Sequence, residues 1–320
     1  MKYIVVKVLA AAMLLAWGQS AVSAGYPEKP VNLVVPFAAG SPTDALVRII
    51  AGHLGTRLGQ PAVVVNKPGA SGIIGTSEVA KAAPDGYTLL FSTNTTQAAN
   101  AALFKKLPYD PVADFEAIAI VGGVPHVLVV NAALPVATTE ELIKYAKSHP
   151  EKVAFAHANS TTRITGSTFR VMTGTAILDV PYKTYPQAVA ELLGGQTNMM
   201  FIDFATGLQH IRSGRLRALA LTPQRSEKLP GVRAVSETLP GFVVGNWAGL
   251  FAPAGTSQAI VERLNREVNQ IIALPEVKAQ VDNIGYELNK PMSAREFSRF
   301  VESEKAQYAE LVKNAGIQPE

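Results

Sequence analysis

The chain has 320 residues, no cysteine and a formal net charge of +4. Lys2 and Lys7, in an apolar N-terminal stretch without acids, carry two of those charges, so the rest is nearly neutral. Lys and Arg are scattered, with no basic block among aromatics, which argues against nucleic acid as a partner; the missing cysteine removes thiol nucleophiles, thiolate metal sites and a lipid-modified N-terminal cysteine.

Lys2 and Lys7, the apolar run Val8 to Trp17 and the small residues Ala21-Val22-Ser23-Ala24 read as the n-region, h-region and cleavage site of a signal peptide over residues 1–24. The run falls short of the roughly 20 apolar residues that span a bilayer. The mature chain is therefore expected to begin at Gly25, free in a bacterial periplasm and away from intracellular ATP and NAD(P)H. No later window reaches transmembrane length, and the length left after residue 24 suggests two domains.

Short apolar runs alternate with helical patterns, which predicts α/β architecture. Val31 to Phe37 reads as a strand, followed by the loop Ala38 to Pro42. A helix then opens with Ser41 at the N-cap, Pro42 at its first position and Asp44 as an Asp variant of the capping box, and Gly59 ends it. Strands follow at Ala62 to Val65 and Tyr87 to Phe91, separated by a helix reaching about Ala82. Val124 to Val130 reads as an apolar strand crossing into a second domain. There, strands are expected at Val153 to His157, Asp179 to Tyr182, Met199 to Ile202 and Arg217 to Leu221, with helices between them. Trp247 to Phe251 reads as the return crossing. Helices from Ser257 to Asn314 are expected to pack on the first domain.

Three loops join a strand's C-terminal end to a helix N-terminus: Ala38 to Thr43, Ser92 to Thr96 and Ala158 to Arg163. Such termini offer free N–H groups and positive potential to an anion, and ligands of open α/β sheets sit there. Ordinary capping is the alternative use of each hydroxyl. Asp44 reads as a capping carboxylate, because it would repel a bound anion. Arg163 is the fixed cation of these loops, suited to gripping a carboxylate with two parallel hydrogen bonds or to a surface salt bridge. Asp203 follows an apolar strand, where it faces a ligand or caps the next helix. His53, His126, His149, His157 and His210 are dispersed without metal spacing, and a structural strand-end role is favoured for His157. No nucleophile elbow or phosphate loop occurs.

Long motifs carry a family resemblance. Tyr26-Pro27-Glu28-Lys29-Pro30, Val34-Val35-Pro36-Phe37-Ala38-Ala39-Gly40 and Thr43-Asp44 resemble the opening of the tripartite tricarboxylate transporter receptors, also called Bug receptors. The resemblance continues through Asn66-Lys67-Pro68-Gly69-Ala70, Ala83-Pro84-Asp85-Gly86-Tyr87 and Lys106-Leu107-Pro108-Tyr109-Asp110-Pro111. It resumes at Val180-Pro181-Tyr182-Lys183, Leu192-Leu193-Gly194-Gly195-Gln196, Gly214-Arg215-Leu216-Arg217 and Phe251-Ala252-Pro253-Ala254-Gly255. It implies a two-lobed α/β periplasmic binding protein with two crossover strands and a ligand cleft between lobes. The lobes are expected at 25–123 plus 248–320 and at 124–247. Closure is expected to hinge near Gly122 to Pro125 and Val243 to Trp247.

The resemblance further implies a small carboxylate held by Phe37, Ala39, Gly40, Ser41, Thr43, Ser92, Thr93, Asn94 and Thr95, closed over by a second lobe offering Asn159, Ser160, Thr161, Arg163 and Asp203. Delivery to a permease of one large and one small membrane subunit follows, with no cofactor and no bond chemistry, from a monomer. A sensing subunit for a membrane kinase and a periplasmic hydrolase or isomerase are the competing classes. Two departures fall in the expected cleft. Ser41-Pro42 stands where the family shows Gly-Gly, and Arg163 falls near its usual His in a shorter loop.

Overall fold

A computed structural model describes residues 25–150, 152–242 and 244–319. The expected signal peptide, and Val243 at one expected hinge, lie outside them. Eleven strands occur among the described residues: β1 Val31–Val35, β2 Ala62–Asn66, β3 Thr88–Thr93, β4 Phe115–Gly123, β5 His126–Asn131, β6 Ala154–His157, β7 Leu178–Pro181, β8 Met199–Asp203, β9 Leu216–Thr222, β10 Ala248–Pro253 and β11 Glu287–Leu288. They form two sheets, ordered β11-β4-β10-β3-β1-β2 and β7-β6-β8-β5-β9. Each sheet is the centre of one lobe.

Local chemistry sets several elements as the sequence predicts. The helix Pro42–Leu58 starts where Ser41 accepts the Asp44 N–H, and it stops at Gly59 with φ 71°. That left-handed conformation costs glycine little. The Asp44 carboxylate reaches one residue past the N-cap, to the Gly40 N–H at 2.9 Å. Near-continuous burial of β1, β3 and β8 fits strands covered on both faces.

The crossings differ from expectation. The apolar run read as a strand from Val124 to Val130 is one from His126 onward, and an unexpected strand precedes it. β4 ends at Gly123 in the first sheet and β5 begins at His126 in the second, with Val124-Pro125 between. Pro125 has no N–H for a ladder, and its carbonyl accepts the Phe204 N–H at 2.9 Å. The return segment is not merely a connector. It becomes β10, fully buried and antiparallel between β3 and β4.

The two crossings touch backbone to backbone. A Cβ on Gly123 would lie 2.2 Å from the Asn246 carbonyl oxygen, and one on Gly122 2.5 Å from that of Glu287. Only glycine fits at both positions.

The helix Ala294–Asn314 spans both lobes. Ser293 and Glu296 cap it reciprocally. Phe297 and Val301 join Trp247, Phe251 and Phe115 in the first lobe, while Tyr308 and Val312 pack with Phe155, Phe169 and Phe201 of the second. Between them, Glu304 accepts a 2.7 Å hydrogen bond from the Trp247 indole. Burial pushes the Glu304 carboxyl up, and the indole bond only partly offsets that rise.

Two tests follow. Gly123→Ala is expected to destabilise by about 1–3 kcal/mol through overpacking, whereas Gly52→Ala, exposed with open space around it, should stabilise by about 0.5–1 kcal/mol; urea unfolding of both checks the contrast. A raised carboxyl pKa contributes stability fully present below the unfolded value of about 4.3 and lost as pH rises through the folded value. Glu304→Gln removes that loss, so the variant should gain on the wild type between about pH 4 and pH 7 in the same assay.

Candidate functional site: a hydrogen-bonded seam and a cavity between the lobes

The chain is wholly buried from Ser92, near the end of β3, to Asn100. It turns through a π-helical stretch, Thr95–Ala99, into the short helix Asn100–Leu103. Its side chains are already engaged. Ser92 and Thr96 share a 2.7 Å hydroxyl contact, and Thr93 Oγ1 accepts the Thr95 N–H at 3.3 Å. Asn94 donates to the Gly245 carbonyl at 2.9 Å and to the Tyr308 hydroxyl, tying the loop to the return crossing and the last helix.

Two contacts cross to the second lobe. Thr95 Oγ1 lies 2.9 Å from Thr161 Oγ1, and Ser160 Oγ donates to Asn100 Oδ1 at 2.6 Å. The facing loop is shorter than the sequence suggests, because the helix Ser160–Thr173 begins inside it. Asn159 is its N-cap: its side chain accepts the Thr162 N–H while Thr162 returns the capping box. Ser160, Thr161 and Arg163 thus sit in the first helical turn.

Beside this seam lies a cavity of about 400 Å³. Asn159, Ser160, Arg163, His157, Asp179 and Tyr182 line it from the second lobe, and Ser71, Leu103 and Phe104 from the first. Ser71 belongs to a left-handed run with Ala70 (φ 52° and 47°), a costly conformation for non-glycine residues. Its carbonyl accepts from Asn100 Nδ2 at 3.1 Å. Register explains the charged wall. β6 and β7 are parallel with Phe155 opposite Asp179 and His157 opposite Pro181, so His157 and Asp179 are diagonal neighbours on one face. His157 Nε2 lies 2.5 Å from Asp179 Oδ1, and Arg163 Nε 4.0 Å from Asp179 Oδ2.

The other expected residues lie apart from that wall. Ala39 and Gly40 are exposed on the first lobe, Phe37 and Ser41 are half-buried, and Thr43 is buried. The Gly40 N–H, expected to be free for an anion, is taken by Asp44. Burial pushes the Asp44 carboxyl up, but hydrogen bonds from Arg48, Gly40 and Asn66 outweigh this and hold it below the usual carboxylate range.

Asp203 occupies the N-cap position of the helix Phe204–Arg212 without capping it through its side chain. Its carboxylate instead meets His126 Nε2 at 3.0 Å, and its N–H donates to the Tyr185 hydroxyl at 2.6 Å. Burial and then the nearby Asp203 charge push the enclosed Tyr286 hydroxyl of the first lobe well up, with Thr43 opposing them. Asp203 is therefore engaged within its own lobe and adds a negative charge near Tyr286 of the other. Among the described residues no group of three or more His, Asp or Glu could hold a metal ion, and no helix is long and apolar enough to cross a membrane.

Asp179, Tyr182, Ser71 and Phe104 are cavity residues that sequence reasoning passed over, and His157, for which the sequence favours a structural role, lines the cavity as well. The available signal was the Val180-Pro181-Tyr182 motif at a strand end, directly after Asp179.

The comparisons agree with this architecture. The family model described as "Tripartite tricarboxylate transporter family receptor" matches residues 46–317. The chain belongs to this receptor family. Protein BugT of Bordetella pertussis is 38% identical over 298 residues, covering 91% of this chain and 90% of that protein. The structure of R. palustris Rpa4515 with adipate superposes with a TM-score of 0.86 at 33% identity, covering 92% of this chain and all of that one. MatC from Rhodopseudomonas palustris with bound malate gives 0.82 at 31% identity, covering 90% of this chain and all of that one. This receptor is thus a two-lobed α/β binding protein.

The seam makes a testable statement about this receptor. Ser160→Ala removes a donor from the buried Asn100 carbonyl, and an unsatisfied buried acceptor typically costs about 1–3 kcal/mol. A lowered midpoint in urea unfolding is expected, together with faster amide exchange over residues 159–163.

Proposed function

We propose that this receptor is exported to the bacterial periplasm and reversibly captures a small organic acid between its lobes, delivering it as a monomer to a membrane permease of one large and one small subunit. The observation that carries the reading is Arg163, a fixed cation on the first turn of a helix that lines the cavity between the lobes. A guanidinium there grips a carboxylate through paired hydrogen bonds, and the helix N-terminus adds favourable potential. Relatives solved with adipate and malate support an organic acid.

In this reading the seam is part of the binding cycle. Thr95 pairs with Thr161, and Ser160 with Asn100, across the closed lobes. On opening, these hydroxyls become available to the ligand, joined by backbone groups of Phe37 to Thr43 and of Ser92 to Asn94. Val124-Pro125 and the segment before β10 are the links that move, as a few loop residues can absorb hinge closure. In this reading capture involves no bond chemistry.

Thermal-shift screening of organic acids tests the class, since a ligand at 100 times its Kd stabilises by about 2.7 kcal/mol. Losing a buried charged pair typically costs about 2–5 kcal/mol. Arg163→Ala should therefore weaken the best acid at least about thirtyfold in calorimetry, at about 1.4 kcal/mol per decade. Arg163→Lys should recover part of the loss, because an ammonium lacks the planar fork. Binding within about threefold of wild type by Arg163→Ala would remove Arg163 from the site.

A further inference from the structure

We propose that Ser71 is a first-lobe contact to the bound acid and that Asn100 is its positioning residue, holding the Ser71 turn and the second lobe's Ser160 with one amide. The inference rests on the carboxylate reading of the cavity and adds the group that meets the ligand from the opposite lobe. Among the described residues that line the cavity from the first lobe, Leu103 and Phe104 are apolar, which leaves Ser71 as the polar one. Its hydroxyl has no hydrogen-bond partner among the described residues. A hydroxyl donor in a cavity that also holds Arg163 suits a carboxylate oxygen, because hydrogen bonds to an ionised acceptor are the stronger kind.

The backbone that carries this hydroxyl is costly. Four successive residues have positive φ: Gly69 at 134°, Ala70 at 47°, Ser71 at 52° and Gly72 at 84°. Glycine adopts this region freely, but the Cβ of Ala70 and of Ser71 crowds the backbone there. Such residues persist where their surroundings over-determine them, and they gather at ligand sites. Two bonds hold this turn. The Gly72 N–H closes it on the Gly69 carbonyl at 3.0 Å, and the Asn100 amide donates to the Ser71 carbonyl at 3.1 Å.

Asn100 is fully enclosed, and its amide works in both directions. Besides Ser71, Nδ2 donates to the Tyr109 hydroxyl at 3.3 Å, which itself donates to the Thr96 carbonyl at 2.9 Å. Oδ1 accepts from Ser160 of the second lobe at 2.6 Å. Ser71 and Ser160 both line the cavity, so one planar amide fixes a wall residue on each side and sets their separation.

Calorimetry on the mature protein tests both parts, with adipate and malate, which solved relatives hold, and benzoate as probes. Ser71→Ala and Ser71→Gly each remove the hydroxyl. Each should weaken the tightest of these acids at least about tenfold, the scale of a hydrogen bond to a charged group. Ser71→Gly also relieves the left-handed backbone, so its urea midpoint should match or exceed that of the wild type. Binding lost without stability lost separates a contact from a structural role. Asn100→Asp keeps an acceptor for Ser160 and removes both donors, and Asn100→Ser is the second variant, which buries no charge. In either, adding Ser71→Gly should weaken binding by no more than about threefold, since a hydroxyl no longer held in place contributes little. If Ser71→Gly keeps its full effect in the Asn100 variants, the positioning role is overturned. If both Ser71 variants bind within about threefold of wild type, the contact is overturned, and the carboxylate reading stands or falls separately with Arg163→Ala. If none of the three acids binds the wild type, both fall.

Discussion

Everything in this receptor depends on two chain crossings packed against each other with no side chain between them. At Gly122 and Gly123 the backbone of β4 meets the carbonyls of Glu287 and Asn246 closer than any Cβ allows. That contact lets β10 lie between β3 and β4, so the first sheet is completed by a strand arriving from the far lobe. Close packing of this kind has few intermediate arrangements, because interiors are packed like crystals and resist continuous deformation. The junction between the lobes is therefore tightly packed.

The face between the lobes is polar for a physical reason. A dry apolar interface would hold the lobes shut, while unsatisfied polar groups buried there would be costly. Small hydroxyls solve both problems. Across the seam Thr95 pairs with Thr161 and Ser160 with Asn100. The longest helix complicates this economy: Tyr308 and Val312 pack on the second lobe while Phe297 and Val301 pack on the first. Asn94, bonded to both Tyr308 and the return crossing, links that helix to the seam.

Charge is distributed unevenly over the interface. The cavity side carries Arg163, Asp179 and His157 within a few ångströms of one another. The other side carries Asp203, His126, Tyr185 and the buried Tyr286. Asp203 is spent on its own lobe's histidine and on proximity to a tyrosine of the other lobe, which makes it a different kind of residue from Arg163 although both follow a strand and open a helix.

The sequence by itself determined what local chemistry and long motifs decide. Ser41, Pro42 and Gly59 mark the first long helix because capping hydroxyls, a preset φ and a left-handed stop act within a few residues. The ordered motifs from Tyr26 to Gly255 carried the receptor family and with it the two-lobed fold. Arg163 stood out as the fixed cation of its loop. Tertiary structure alone decided the rest. The apolar run at 124–130 could not reveal that β4 precedes it, because burial on both faces erases the alternation that marks a strand. The pairing of His157 with Asp179 comes from the parallel register of β6 and β7, set by sheet packing across a whole intervening helix. The engagement of Gly40, Ser92, Asn94 and Thr95 with their own fold is equally invisible in one dimension, since a hydroxyl or N–H reads the same whether its partner is a ligand or a neighbouring strand.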